Sequence, residues 1–315
     1  MEQSLEGAED RLASSVLSGD PFLDEVATHL IAAGGKRLRP ALALAAATGG
    51  VREAGERDLL GAVAAELVHL GSLYHDDVMD EAILRRGTET VNARWGSQVA
   101  VVAGDFLLAR SAEIAAGLGP HFASLLAGTL QELCRGQVAE IQTAYRTSRT
   151  VEQYFEAIAG KTAALMESSC RIGAMTASLP DSETDALAAF GNRLGMAFQV
   201  HDDVMDIVGT TEELGKVPGK DLVEGIYTLP TILAMQDEDV GPDLISLLGR
   251  RLGPGETDEA RTMISSTPAV GQAIEVADSW VAAATGVLRA TIGVPASEAL
   301  AALATSILGD VLSPS

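Results

Sequence analysis

Along nearly its whole length this chain alternates apolar and polar positions at helical spacing. Apolar residues recur three and four apart in stretches rich in Ala, Leu and Glu, while alternating Val/Ile/Thr runs of strand length are scarce. The pattern predicts an all-α fold. Helices are expected over about 5–33, 40–48, 57–82, 97–117, 120–146, 151–178 and 183–208, with more between 229 and about 311. Gly34-Gly35 reads as the stop of the first helix, Pro40 as part of the first turn of the next, and Gly209 to Glu224 as a glycine-rich loop.

One polar block interrupts this pattern twice. His75-Asp76-Asp77-Val78-Met79-Asp80 recurs letter for letter as His201-Asp202-Asp203-Val204-Met205-Asp206. A hexamer repeats by chance in such a chain roughly once in a thousand cases, so the repeat is a constraint. In each copy the outer aspartates lie four apart on one helix face, Asp76 with Asp80 and Asp202 with Asp206. Like charges at that spacing weaken a helix, and two helices that accept the same penalty point to bound cations. Two solvated acidic helix ends are the plain alternative.

Charge sharpens the picture. The 315 residues carry 44 acidic against 22 basic side chains, a formal charge of −22, which argues against nucleic acid or an anionic membrane as partner. Local cation clusters are therefore informative. Only four lysines occur, Lys36, Lys161, Lys216 and Lys220. With 47% hydrophobic residues and no linker-like stretch, the chain suits a single domain, 1–315. Cys134 and Cys170 lack disulfide or metal spacing and fit a reducing cytoplasm. The acidic N-terminus is unlike a signal peptide and no apolar run reaches spanning length, so a cytoplasmic protein without stable membrane insertion is expected.

Lys36, Arg37 and Arg39 gather at the start of the 40–48 helix, where free N–H groups also favour an anion. His69 lies two turns before Asp76. Arg85 and Arg86 follow the first acidic copy, and guanidinium groups form paired bonds with phosphate oxygens. Lys161-Thr162, set in an apolar helix, needs a polar partner, either a phosphate or a buried salt bridge. Gln199 lies one turn before Asp202, and Lys216 and Lys220 follow in the loop. Asp105 reads either as support for the site or as a helix-pairing residue. Mg²⁺, with Mn²⁺ as substitute, prefers carboxylate, water and phosphate oxygens, so two aspartate clusters among cations suit a diphosphate held through such ions. No Ser-His or Cys-His set and no Walker loop appears.

From Gly34 to Pro230 the chain resembles the trans-isoprenyl diphosphate synthases, or polyprenyl synthetases. Asp76-Asp77-Val78-Met79-Asp80 looks like their first aspartate-rich motif and Asp202-Asp203-Val204-Met205-Asp206 like the second. The resemblance implies a helical bundle of the isoprenoid synthase type with a central substrate cavity, usually a homodimer, whose motifs hold Mg²⁺ through Asp76, Asp80, Asp202 and Asp206. It implies that an allylic diphosphate ionises, isopentenyl diphosphate attacks the cation and a proton is lost. Asp76, Asp77, Asp80, Asp202, Asp203, Lys161 and Gln199 are then the catalytic set. Lys36, Arg39, His69 and Arg86 match the isopentenyl diphosphate site, and Arg85, Lys161, Thr162, Gln199 and Lys216 the allylic diphosphate site. Many members carry lysine where this chain has Ile226. Family members with short products carry bulky aromatic residues four and five positions before the first motif, where this chain has Ser72 and Gly71. An open tunnel running from Asp76 towards Ala65, and a medium- or long-chain product, are therefore expected; a floor from Phe106 or Phe122 would shorten it. The alternatives are a geranylgeranyl diphosphate synthase, a metal-dependent phosphohydrolase, and a non-catalytic subunit of a two-part synthase.

Overall fold

The structure, a computed structural model, describes residues 2–50, 52–214 and 217–312. Helices account for about three quarters of it, in the order α1 (Glu2–Ser15), α2 (Pro21–Ala32), α3 (Leu38–Thr48), α4 (Glu56–Met79), α5 (Val91–Trp95), α6 (Ser97–Leu118), α7 (Pro120–Thr143), α8 (Val151–Ile158), α9 (Ala164–Thr176) and α10 (Asp181–Val208). Then follow α11 (Thr211–Leu214), α12 (Lys220–Glu224), α13 (Leu229–Ala234), α14 (Gly241–Leu247), α15 (Pro254–Ser265), α16 (Ala269–Thr291) and α17 (Val294–Leu312). The all-α expectation is met. Among the described residues no helix is long and apolar enough to cross a membrane.

Three local features depart from the periodicity. The helix expected over 5–33 is two helices, because the Asp20 carboxylate accepts the N–H groups of Phe22 (2.9 Å) and Leu23 (3.0 Å) and Pro21 opens α2. Beyond the first acidic copy the chain turns back as a hairpin, β1 (Leu84–Arg85) pairing antiparallel with β2 (Thr88–Glu89). Arg86 and Gly87 form its two-residue turn with φ of 53° and 72°, the positive values that suit strand twist. The helix expected over 151–178 carries one wide turn, Ala159–Ala163, between α8 and α9. Such π turns insert a residue and re-aim side chains, and this one holds Lys161 and Thr162.

The chain divides into two compact units. The first comprises Met1–Gln131, Leu165–Gly191 and Val287–Leu300, and the second Glu132–Ala164, Asn192–Gly286 and Ala301–Ser315. In the first unit α4 is buried along most of its length and packs on α6, with Leu67, Leu70 and Tyr74 of α4 against Leu107 of α6 and Val26 and Leu30 of α2. Tyr74 Oη donates to the Val26 carbonyl at 2.8 Å, which satisfies a phenol that burial drives far above its usual pKa. In the second unit α8 and α10 pack with the α12–α16 segment through Tyr154, Ile158, Val200, Val204, Tyr227, Ile232 and Ile264.

Candidate active site

The first unit gathers the cations after the glycine turn, but they do not share one task. Lys36 is exposed. Arg37 turns inward and is 7% exposed, in a left-handed conformation (φ 47°) at the head of α3. Its guanidinium donates to Glu66 (3.2 Å), Glu9 (3.1 Å) and the Ile31 carbonyl (2.9 Å). Arg37, read from sequence as one of three anion-facing cations, is therefore a brace. Glu66 is 2% exposed and was not singled out from the sequence, although an acid in the apolar run of α4, three residues before His69, was a readable signal. Burial pushes its carboxyl pKa up against the pull of Arg39 and Arg37.

Arg39 and His69 meet, with Nη1 and Nε2 3.2 Å apart. Burial pulls the His69 pKa well below the usual imidazole value, and Arg39, Arg86, Arg85 and Arg37 add to the effect. The imidazole is thus neutral. Since guanidinium only donates, Nε2 is the acceptor and Nδ1 carries the proton. Arg86 closes the cluster by donating through Nη1 to the Gly34 carbonyl. Gly35 sits at φ 148°, a backbone conformation that L side chains rarely adopt, and its bare Cα lets the Arg86 guanidinium lie against it. Arg39, His69 and Arg86, expected together from the sequence, are together.

At the C-terminal end of α4, Asp76 and Asp80 are partly exposed, whereas Asp77 is 1% exposed. Arg85, anchored in β1, donates from Nε to Asp77 at 2.7 Å. His75 Nε2 lies 3.1 Å from the Val101 carbonyl and 3.4 Å from Asp105, so Asp105 sits beside the acidic copy on α6. Gly71 turns its bare face towards α6. A side chain there would meet Leu108 at 2.9 Å and the Gly104 carbonyl at 3.0 Å, so Gly71 exists for the close approach of α4 and α6. Ser72 is partly exposed and its hydroxyl bonds back to the His69 carbonyl at 2.8 Å.

The second unit repeats the arrangement with different neighbours. Asp202 is partly exposed and Asp203 is 2% exposed. Asp203 accepts from Tyr154 Oη at 2.5 Å and from Gln199 Nε2 at 2.8 Å, and Gln199 Oε1 accepts from Thr162 Oγ1 at 2.7 Å. Only Nε2 can donate to a carboxylate, so the network fixes the amide orientation. Burial pushes the Asp203 pKa up to about 8. Lys161 pairs with Glu140 at 2.5 Å, which gives the salt-bridge reading of that lysine a definite partner. Glu140, Tyr154 and Arg149 are further polar members that the sequence reading missed. Gly136 and Gly160 make the Glu140–Lys161 approach possible, since a methyl on either would lie within 2.6 Å of backbone on the other segment.

Asp206 differs from its counterpart Asp80. It is 1% exposed, and its Oδ2 accepts the Asp221 N–H at 3.2 Å, so it holds the segment leading into α12. Ile226 leaves no cation on that segment's own position, and Lys220 pairs with Glu224 at 3.1 Å. Lys216 lies outside the described residues. The identical hexapeptides therefore behave alike at their middle aspartate, which is buried and braced from within its own unit, and unalike at their last. The donors of each acidic segment are all carboxylate oxygens, the chemistry of a hard divalent cation. Among the described residues no group of three or more His, Cys, Asp or Glu converges as a complete ligand set. Such donors fit an ion whose shell is finished by substrate phosphate and water.

The polyprenyl synthetase family model matches residues 20–264. The chain is 39% identical over 300 residues to heptaprenyl diphosphate synthase component 2 of Geobacillus stearothermophilus, covering 95% of this chain and 92% of that protein. It is 37% identical over 300 residues to nonaprenyl diphosphate synthase of Mycobacterium tuberculosis, covering 94% and 89%. Among solved structures, geranylgeranyl pyrophosphate synthase of Corynebacterium glutamicum, complexed with calcium and isoprenyl diphosphate, superposes with a TM-score of 0.85 at 35% identity, covering 98% of this chain and 96% of that one. With an all-α fold, two braced aspartate segments and a matching family model over most of its length, the chain belongs to the polyprenyl synthetase family and is a prenyltransferase.

Proposed function

We propose that this enzyme condenses isopentenyl diphosphate with an allylic diphosphate, using Mg²⁺, to make a medium- or long-chain trans-polyprenyl diphosphate. One observation supports this above the others: in both acidic copies the middle aspartate is buried and held, while Asp76, Asp80 and Asp202 keep partly exposed carboxylates. A phosphohydrolase gains nothing from two such copies with a neutral histidine among arginines.

In this reading Asp76 and Asp80 in the first unit and Asp202 in the second are Mg²⁺ ligands, with Asp206 serving the second acidic copy by fixing the segment at Asp221. Bound Mg²⁺ supplies the Lewis acidity that draws the diphosphate from the allylic carbon. Arg39, Arg86 and Lys36 bind the diphosphate of isopentenyl diphosphate, and His69 contributes its Nδ1 proton as a donor. Arg85 spends Nε on Asp77 and keeps its Nη groups for the allylic diphosphate, and Lys161 is a second cation for that substrate. Thr162 and Gln199 hold Asp203, so their effect on turnover runs through that carboxylate. Fixed donors of this kind stabilise departing charge without reorganising. The growing tail passes Ser72 alone, with Gly71 withdrawn into the α4–α6 contact.

The enzyme works in the cytoplasm as one functional domain and as a homodimer. Exposed Val101 and Val102 on α6 support an apolar contact with a second copy. A heteromeric enzyme is the second reading, since one relative is named as a component of a synthase. The test is to incubate the purified chain with Mg²⁺, isopentenyl diphosphate and farnesyl diphosphate and size the dephosphorylated products. Products of heptaprenyl length or longer, abolished by EDTA, are expected. A stop at geranylgeranyl would keep the chemistry and overturn the product class. Failure with every allylic primer would favour a missing subunit, and phosphate release without chain growth a phosphohydrolase.

A further inference from the structure

Arg149 is 4% exposed and takes no part in the chemistry above. It precedes the Thr150 cap of α8, and its Nη1 donates to the Tyr227 carbonyl at 3.0 Å. Its guanidinium carbon lies 5.8 Å from the centroid of the Tyr154 ring, whose hydroxyl holds Asp203. Its Nε has no hydrogen-bond partner among the described residues. Burial lowers its pKa, and Glu140 and then Asp203, with Tyr154 and Asp221 after them, raise it again. A buried cation with one backbone acceptor and three carboxylates in range is balanced by the acids of the site.

Tyr227 belongs to the stretch between α12 and α13. That stretch folds on itself through Ile226 N–H to the Asp221 carbonyl (2.8 Å), is held at Gly225 by the Tyr145 N–H (2.7 Å), and Asp221 in turn holds Asp206. Arg149 thus bonds the segment fixed to Asp206 and lies near the ring of the tyrosine fixing Asp203.

We infer that Arg149 is a positioning residue for the allylic side of the site, clamping residues 221–228 to Tyr154 so that the carboxylates of the second acidic copy keep one arrangement. The inference rests on the proposed function for its kinetic consequence only. Lysine cannot replace it fully, because an ammonium on a flexible stem lacks the planar fork that reaches a carbonyl and lies along a ring together.

The experiment compares the full chain with Arg149→Met and Arg149→Lys, first by amide hydrogen exchange without Mg²⁺ or substrate, then by steady-state kinetics. Exchange across 221–228 should rise at least about tenfold in Arg149→Met, the factor one lost charge-assisted hydrogen bond carries, with an intermediate rise in Arg149→Lys. KM for the allylic diphosphate should rise about tenfold while KM for isopentenyl diphosphate stays within about twofold. Wild-type exchange in a folded Arg149→Met protein, or an equal rise in both KM values, would overturn the inference. Where Arg149→Met does not fold, Arg149→Lys decides alone: faster exchange confined to 221–228 supports the clamp, and wild-type exchange removes it. Because exchange is read without substrate, a wild-type chain that fails to transfer prenyl groups would count against the proposed function and leave the clamp standing.

Discussion

Replacing Glu66 with leucine should uncouple Arg37 from the core of the first unit. The carboxylate is 2% exposed and the guanidinium 7%, and they meet at 3.2 Å. Leucine fills the space but leaves Arg37 with the Ile31 carbonyl and with Glu9, a side chain 53% exposed and therefore a weak partner. Removing one member of a buried ion pair costs about 3–5 kcal/mol, because the other charge stays desolvated. For a chain of this size that corresponds to a fall in melting temperature of roughly 5–8 °C. The same loss frees the left-handed turn that leads into Arg39, so KM for isopentenyl diphosphate should rise as well. A double-mutant cycle gives the sharper check. Arg37→Leu with Glu66→Leu removes both charges, and such apolar replacements are often close to neutral, so the double variant should melt above Glu66→Leu. Calorimetry on the four proteins reads the coupling directly. Additive losses, or a Glu66→Leu protein that melts like wild type, would show that Arg37 is not held by Glu66.

Two further outcomes follow from the same geometry. Ser72→Phe should shorten the product, measured as the carbon number after dephosphorylation. Gly71→Phe should instead lower the melting temperature, because its side chain would strike Leu108 and the backbone at Gly104; a stable Gly71→Phe enzyme with a shortened product would return Gly71 to the tunnel wall. His69, held neutral, gives a pH signature. Its folded pKa lies below the ordinary value of 6.5, so between the two the unfolded chain binds the extra proton and stability falls as pH drops below about 6.5, by at most about 1.4 kcal/mol per pH unit. His69→Gln should flatten that acid limb relative to wild type in denaturant titrations, and identical limbs would mean His69 is charged in the fold.

What the sequence made legible was what its patterns encode locally. Helical periodicity located α3, α4, α6, α7 and α10 closely, and the repeated hexapeptide with Gly34–Arg39 marked the two segments around which polar groups collect. Roles set by tertiary contact were not legible. Arg37 and Arg39 are two residues apart in one basic run, yet one is a buried brace and the other meets His69, because the left-handed turn at Arg37 sends their side chains different ways. Asp80 and Asp206 occupy the same place in identical words. Asp80 ends a helix and stays partly exposed, whereas Asp206 lies inside α10 under the segment at Asp221. Gly71 looked like an opening because absence of a side chain reads as space, but Leu108 fills it. The hairpin at Leu84–Glu89 was hidden because two-residue strands carry no periodic signal. Arg149 had no signal at all, since its partners lie on Tyr154 and Tyr227 and become neighbours only in the fold.

The most direct test of the central claim is the turnover rate of Asp76→Ala and Asp202→Ala in prenyl transfer at saturating Mg²⁺. Each should fall by at least about two decades while the protein stays folded, since under the proposed function each removes a carboxylate that would hold the ion stabilising the departing diphosphate. Two folded variants that still condense isopentenyl diphosphate at near wild-type rates would contradict it.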